Sequence, residues 1–251
     1  LLFWNKRVSL VFIILMGCLV FSTAIISGVV GMAGGMVLLA SMTFFFPLQT
    51  IIPLHGIIQL SSNLSRCFFL RRDINKEILS YFLMGAPLGT MGAYFLIDSI
   101  ENKDIFFLLI VALIFYTLFK PKKLPPIHIP RIGFFPLGTL IGFAAPLVGA
   151  TGPILAPFFL RDDLTKEEIV ATKAAAQMFT HLLKVPLFIA LAFPYGEYSL
   201  LLGIMILMAV LGTKCGVYLL GKVSQEIFVK VYKFALLISA LRLLYKIFLE
   251  P

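Results

Sequence analysis

An apolar run at residues 54–70 is interrupted by His55, Gln59, Asn63 and Arg66. At 100° per residue, their spacing sets the four side chains within an arc of about 80° on one helix face. Ser62 falls on the same face. Further on, Lys173, Gln177, Thr180, His181 and Lys184 repeat the stripe in the same register. These side chains are mostly donors. Arginine offers a planar fork and lysine a point charge, while the histidines are the groups within apolar runs whose ordinary titration lies near neutral pH. Two such stripes facing each other would enclose a donor-rich, net positive cavity, suited to an oxyanion such as a sulfonate, sulfite or carboxylate. No enzyme constellation accompanies them. The acids cluster in loops, His128 sits among prolines, and no nucleophile–base pair, metal-ligand set or cofactor motif stands at a fixed spacing.

Each of these residues also has a plainer reading. Arg66 and Lys184 lie toward helix ends, where a long side chain can snorkel to the interface. His55 follows Pro53 and would sit near a helix start. Gln59 and Gln177 would serve as glue between helices, at ~1 kcal/mol each. Their matched placement favours a shared cavity, since a polar face inside a membrane must look at protein or water. Lys214 and Arg242 lie near span ends and read as snorkelling. Gly85, Gly89 and Gly92 read as close helix packing, and Thr90 and Thr213 as hydrogen bonding within helices.

The elements that must position these stripes are set by two glycine breaks. Gly31-Met32-Ala33-Gly34-Gly35 and its weaker echo Gly149-Ala150-Thr151-Gly152-Pro153 each separate two apolar stretches. A helix interior disfavours glycine by roughly 1 kcal/mol relative to alanine, so these clusters end one helix and begin another. At membrane depth such a break is tolerated only where protein or a water-filled cavity satisfies the freed backbone. The half-helix opening at Gly34-Gly35 or at Gly152 would direct free N–H groups and a positive dipole end at an anion.

Apolar residues make up 60% of the 251 and charged residues 13%, with a mean hydropathy of +1.02. Soluble domains carry about 25% charged residues, so the chain reads as integral to a membrane. Apolar runs fall at residues 8–30, 36–46, 54–70, 78–97, 105–119, 132–148, 154–160, 169–193, 198–220 and 227–249. The net charge of +9 sits in short loops beside these runs, an orientation signal that requires no nucleic acid. The start, Lys6-Arg7 and a long apolar run, reads as a retained first span rather than a signal peptide. Cys18, Cys67 and Cys215 are scattered and read as packing residues.

The organisation is a first membrane repeat at 1–119, a basic proline-rich linker at 120–131, and a second repeat at 132–251. Gly31 aligns with Gly149, Gly34 with Gly152, His55 with Lys173, Gln59 with Gln177, Asn63 with His181 and Arg66 with Lys184, all at one offset. After a short insertion, Leu88-Gly89-Thr90 aligns with Leu211-Gly212-Thr213. Broken helices at matching places in two repeats point to the substrate site of a secondary transporter. Arg71, Arg72, Lys76 and the basic linker would face the cytoplasm. Whether the pieces after each break cross or re-enter decides between parallel and inverted repeats; eight crossings are preferred.

The glycine break and the run His55-Gly56-Ile57-Ile58-Gln59-Leu60-Ser61-Ser62-Asn63-Leu64-Ser65-Arg66, echoed by residues 173–184, resemble the sulfite exporter TauE/SafE family over nearly the whole chain. The resemblance implies a duplicated, multi-pass protein of the bacterial inner membrane with about eight helices. It also implies outward movement of organosulfur or related anions, with ion coupling. The family's glycine signature falls on Gly31, Gly34, Gly35, Gly149 and Gly152. Pro153 departs from it, yet proline in a first helical turn leaves the break intact.

The expectation is therefore an all-α membrane transporter that exports a small anion by alternating access at a midplane site. Its ligands would be drawn from both stripes, both breaks and Thr151, with His55 and His181 the candidates for proton coupling. The features are compatible with a homo-oligomer. The alternatives are a cation or metal exporter or channel, disfavoured by the scarcity of Asp and Glu within spans, and a membrane assembly protein that transports nothing.

Overall fold

A computed structural model describes residues 10–30, 34–100, 104–119, 127–159, 161–219 and 237. Among these residues the regular structure is helical: α1 (Leu10–Val30), α2 (Gly34–Met42), α3 (Leu48–Phe69), α4 (Lys76–Ser99), α5 (Asp104–Phe119), α6 (Phe134–Val148), α7 (Gly152–Phe159), α8 (Lys166–Ala190) and α9 (Ser199–Tyr218). Gly31, the linker at 120–126, Arg242 and nearly all of the last apolar run lie outside the described residues.

Local chemistry sets the boundaries. The Asn75 side chain accepts from the Ile78 N–H to start α4. Thr165 and Glu168 form a reciprocal capping box at the start of α8, an arrangement that satisfies two otherwise orphaned donors. α6 stops at Gly149, whose φ of +77° is a conformation that side chains disfavour.

Among the described residues, four stretches are long and apolar enough to cross a membrane: Leu10–Val29, Lys76–Ser99, Arg131–Val148 and Tyr195–Tyr218. α3 and α8, of 22 and 25 residues, would run about 33 and 37 Å at 1.5 Å per residue. Length suffices there, but the polar stripes lower their apolar character. Phe68, Met84, Leu88, Met91, Phe95, Leu140 and Leu200 are each more than half exposed. Such a surface is a liability in water and an ordinary one in lipid.

Contacts between helix ends fix the direction of each helix. The Asn75 N–H donates to Thr172 Oγ1 at 2.9 Å, Arg161 Nη1 donates to the Ile129 carbonyl at 2.6 Å, and the Ile127 N–H donates to the Pro157 carbonyl at 3.1 Å. Arg131 pairs with Glu77. One face of the bundle therefore gathers the end of α3, the starts of α4, α6 and α8, and the end of α7, with Arg71, Arg72, Lys76, Arg131 and Arg161 around them. On this basic face Arg161 donates through Nε and Nη2 to Asp163, at 2.7 and 3.0 Å. These bonds hold the Asp163 carboxyl below its ordinary range and raise the guanidinium.

The opposite face holds the start of α1 and the end of α2, where the Phe12 ring meets Phe45 and Phe46 at centroid distances of 5.9 and 5.7 Å. The start of α3 and the ends of α4 and α8 lie there too. Consequently the α1–α2 hairpin dips in from that face and the α6–α7 hairpin from the basic face. α1 and α6, the helices that precede the two breaks, run in opposite directions.

Two close crossings hold the hairpins to the rest. α9 lies along α1 in the same sense: a Cβ on Gly28 would come within 2.7 Å of the Gly216 Cα. α4 lies along α6 likewise, and a Cβ on Gly89 would fall 1.8 Å from the Thr139 carbonyl oxygen. The reading of Gly85 and Gly89 as packing residues is what the geometry shows, since both abut α6 backbone. Lys214 is exposed on α9.

Candidate functional site

α3 and α8 pass antiparallel through the centre and turn their polar stripes toward each other. His55 and His181 meet edge to face, with ring centroids 5.7 Å apart. A cavity of about 10 Å³ lies between the stripes, room for about one water. From α3 it is lined by His55, Gln59, Asn63 and Arg66, and from α8 by Gln177 and His181. The breaks contribute Gly35, Met36, Ala150 and Gly152, and α1 contributes Ser27. No Asp or Glu is among the lining residues.

Arg66 dominates the electrostatics. It is 2% exposed, so it does not snorkel. Its Nη1 donates to Asn63 Oδ1 at 3.1 Å, while Nε and Nη2 are buried without a partner. Buried donors are paired in more than nine cases in ten. The guanidinium thus turns two nitrogens without a protein partner to the cavity wall. Asn63 in turn donates to the Gln59 carbonyl at 2.9 Å, which orients its oxygen at Arg66.

The histidines have defined roles as well. His55 Nε2 lies 2.8 Å from the Gly35 carbonyl. A carbonyl only accepts, so Nε2 carries the proton and ties α3 to the first turn of α2. Nδ1 of His55 and Nδ1 of His181 are buried with no partner. Behind the stripe, Ser62 and Thr213 share a 2.8 Å hydrogen bond that links α3 to α9.

The remaining expected site residues sit elsewhere. Gly34 packs against α1, where a Cβ would fall 1.9 Å from the Thr23 carbonyl oxygen. Thr151 is buried, and its carbonyl accepts from the Ile154 and Leu155 N–H groups in the first turn of α7. Lys173 is buried on α8 outside the cavity wall. Lys184 is fully buried, does not snorkel, and donates through Nζ to the Gly149 carbonyl at 2.5 Å. Ser27, Met36 and Ala150 were not singled out from the sequence. Only Ser27 carried a signal, a hydroxyl one turn ahead of the first break.

Among the described residues, the helical architecture and its apolar surface are those of an integral membrane protein, and the family that the chain matches is one of membrane transporters rather than enzymes. The chain belongs to the sulfite exporter TauE/SafE family, whose family model matches residues 14–243. Neither the curated proteins nor the solved structures compared with the chain give a match.

Proposed function

We propose that the chain is a secondary transporter that exports a small oxyanion, an organosulfur anion or a carboxylate, through the cavity between α3 and α8. The carrying observation is Arg66, buried on the cavity wall with Nε and Nη2 unpaired. A charge-assisted pair to an oxyanion would satisfy both nitrogens, and a planar fork matches two oxygens of one acid group. The amides of Gln59 and Gln177 add neutral donors, and the first turns of α2 and α7 point N–H groups and dipole ends at the same space. His55 and His181 are the proton-coupling candidates in this reading.

The two halves act as inverted repeats. In support, α1 and α6 run oppositely, and the partners exchange in pairs: α1 with α9, α6 with α4. By the positive-inside rule the basic face is cytoplasmic in a bacterial inner membrane. The cavity as seen is too small for a tetrahedral oxyanion, so loading separates α3 from α8, and alternating access follows as one half rocks against the other.

Thermal unfolding of the purified protein tests this against sulfite, sulfoacetate, thiosulfate, sulfate, short carboxylates and divalent cations. A ligand bound only by the folded state stabilises it by ~2.7 kcal/mol at a hundredfold excess over its Kd. One anion class should raise the midpoint and should move across proteoliposomes. Stabilisation by cations alone would sink the proposal.

A further inference from the structure

A second, larger cavity of about 390 Å³ opens at the end of the bundle away from the basic loops. Its wall includes Ile52 from the start of α3, Asp98 from the last turn of α4, Pro146 from α6 and Phe188 from the end of α8. Nothing above assigns it a role. Its position relative to the first cavity does. Along α8, Phe188 lies one turn beyond Lys184, and His181, on the inner cavity, lies one turn before it. On the α6 side, Pro146 precedes Gly149 by a turn, while Ala150 and Gly152 line the inner cavity. Along α3, Ile52 precedes Gly56 by a turn, while Gln59 follows it by one and lines the inner cavity.

Between the two sets of wall residues, Lys184, Gly149 and Gly56 come together. Lys184 Nζ donates to the Gly149 carbonyl at 2.5 Å, and a Cβ on Gly56 would meet the lysine Cδ at 3.5 Å. This arrangement depends on both glycines. Gly149, at φ +77°, turns its carbonyl out of the α6 ladder toward the ammonium. A bare Gly56 lets the aliphatic stem lie flat on α3.

We infer that Lys184 is the bolt of a gate, and that the larger cavity is the aqueous vestibule through which the inner cavity communicates with the face opposite the basic loops. Release of Nζ from the Gly149 carbonyl frees the stem to swing off Gly56 and joins the two cavities. Among the described residues, Asp98 is the one ionisable group on the vestibule wall, and it offers an anion no lasting partner there. This rests on the transporter reading for its purpose, but its test requires no substrate.

The full-length protein is stripped of Cys18, Cys67 and Cys215, and single reporters Gln49→Cys, in the vestibule, and Gln59→Cys, in the inner cavity, are introduced. A membrane-impermeant, charged methanethiosulfonate is applied to sealed vesicles from the side opposite the basic loops. Gln49→Cys should react at the same rate with Lys184 or with Lys184→Met. Gln59→Cys should react slowly with Lys184 and at least tenfold faster with Lys184→Met, which keeps the stem and removes the donor. Lys184→Arg, which keeps a donor, should leave it slow. The gate is overturned if Gln59→Cys reacts equally with lysine and methionine, or if Lys184→Arg accelerates it as much as Lys184→Met does. The vestibule is overturned if Gln49→Cys is protected from that side. Failure of every anion in the thermal panel would undo the substrate reading and leave these labelling results intact.

Discussion

Replacing Arg66 with methionine separates a ligand from a structural residue, because the two roles predict opposite signs. The guanidinium is buried with no protein partner at Nε and Nη2, and a buried charge lacking partners is a net cost. Methionine fills much of the same volume without that cost. Exchange of buried ionic groups for apolar ones is often neutral or stabilising, by about 1–4 kcal/mol. The expectation in anion-free buffer is therefore an unfolding midpoint unchanged or raised. With anion, the substitution removes two charge-assisted hydrogen bonds. At about 1.5–3 kcal/mol each the loss is about 3–6 kcal/mol, or roughly a hundredfold to ten-thousandfold in Kd. The assay is paired: thermal unfolding in detergent with and without anion, and calorimetric titration of the same preparation. A variant destabilised by more than about 2 kcal/mol without anion would show that Arg66 holds the helices together. Undiminished anion binding would refute the site outright.

Other expectations follow from single contacts. Gly89→Val should destabilise by at least the ~1–3 kcal/mol typical of overpacking, read as a lowered unfolding midpoint, because backbone of α6 occupies the space a side chain needs. Removing the α8 cap with Thr165→Ala should reduce stability by about 1 kcal/mol. A cycle over Ser62→Ala and Thr213→Val should show a coupling near ~1 kcal/mol for their buried bond; additive effects would mean the hydroxyls do not interact. At the basic face, the bonds from Arg161 depress the Asp163 carboxyl, so the stability they add is present at neutral pH and fades as pH falls through the depressed value. Asp163→Asn should therefore cost no more than ~1 kcal/mol at neutral pH, as exposed pairs do. The difference from wild type should shrink as pH falls below the ordinary aspartate value of about 3.9 and vanish only below the depressed one.

The stripe on α3 was legible because helical period and polarity coincide: His55, Gln59, Asn63 and Arg66 share a face, and the structure turns that face to the cavity. The fourfold spacing in α8 predicted its stripe equally well, yet only Gln177 and His181 reach the wall. Sequence spacing gives the azimuth of a side chain about its own helix, not which neighbour it meets, and Lys173 is buried without reaching the wall. Nor did it show that Lys184 is tied to a backbone carbonyl, since that acceptor exists only because Gly149 adopts a positive φ. Gly34 stands off the cavity wall for a related reason: glycine signals close approach, and the group that approaches it is α1 backbone.

Helix direction decides what the two breaks can do together. If α2 and α7 entered from the same face, their first turns would point the same way, and only one could address a site from below. Because α1–α2 dips from one face and α6–α7 from the other, Gly35 and Gly152 arrive at one cavity from opposite sides. Each brings the positive end of a short helix. Basic loops alone did not decide between these arrangements, since the contacts that place the α1–α2 hairpin are apolar: Phe12 edge-on against Phe45 and Phe46. In the proposed cycle the anion is held centrally between these two ends and Arg66, and the barrier on the side away from the basic loops is the Lys184 stem on Gly56.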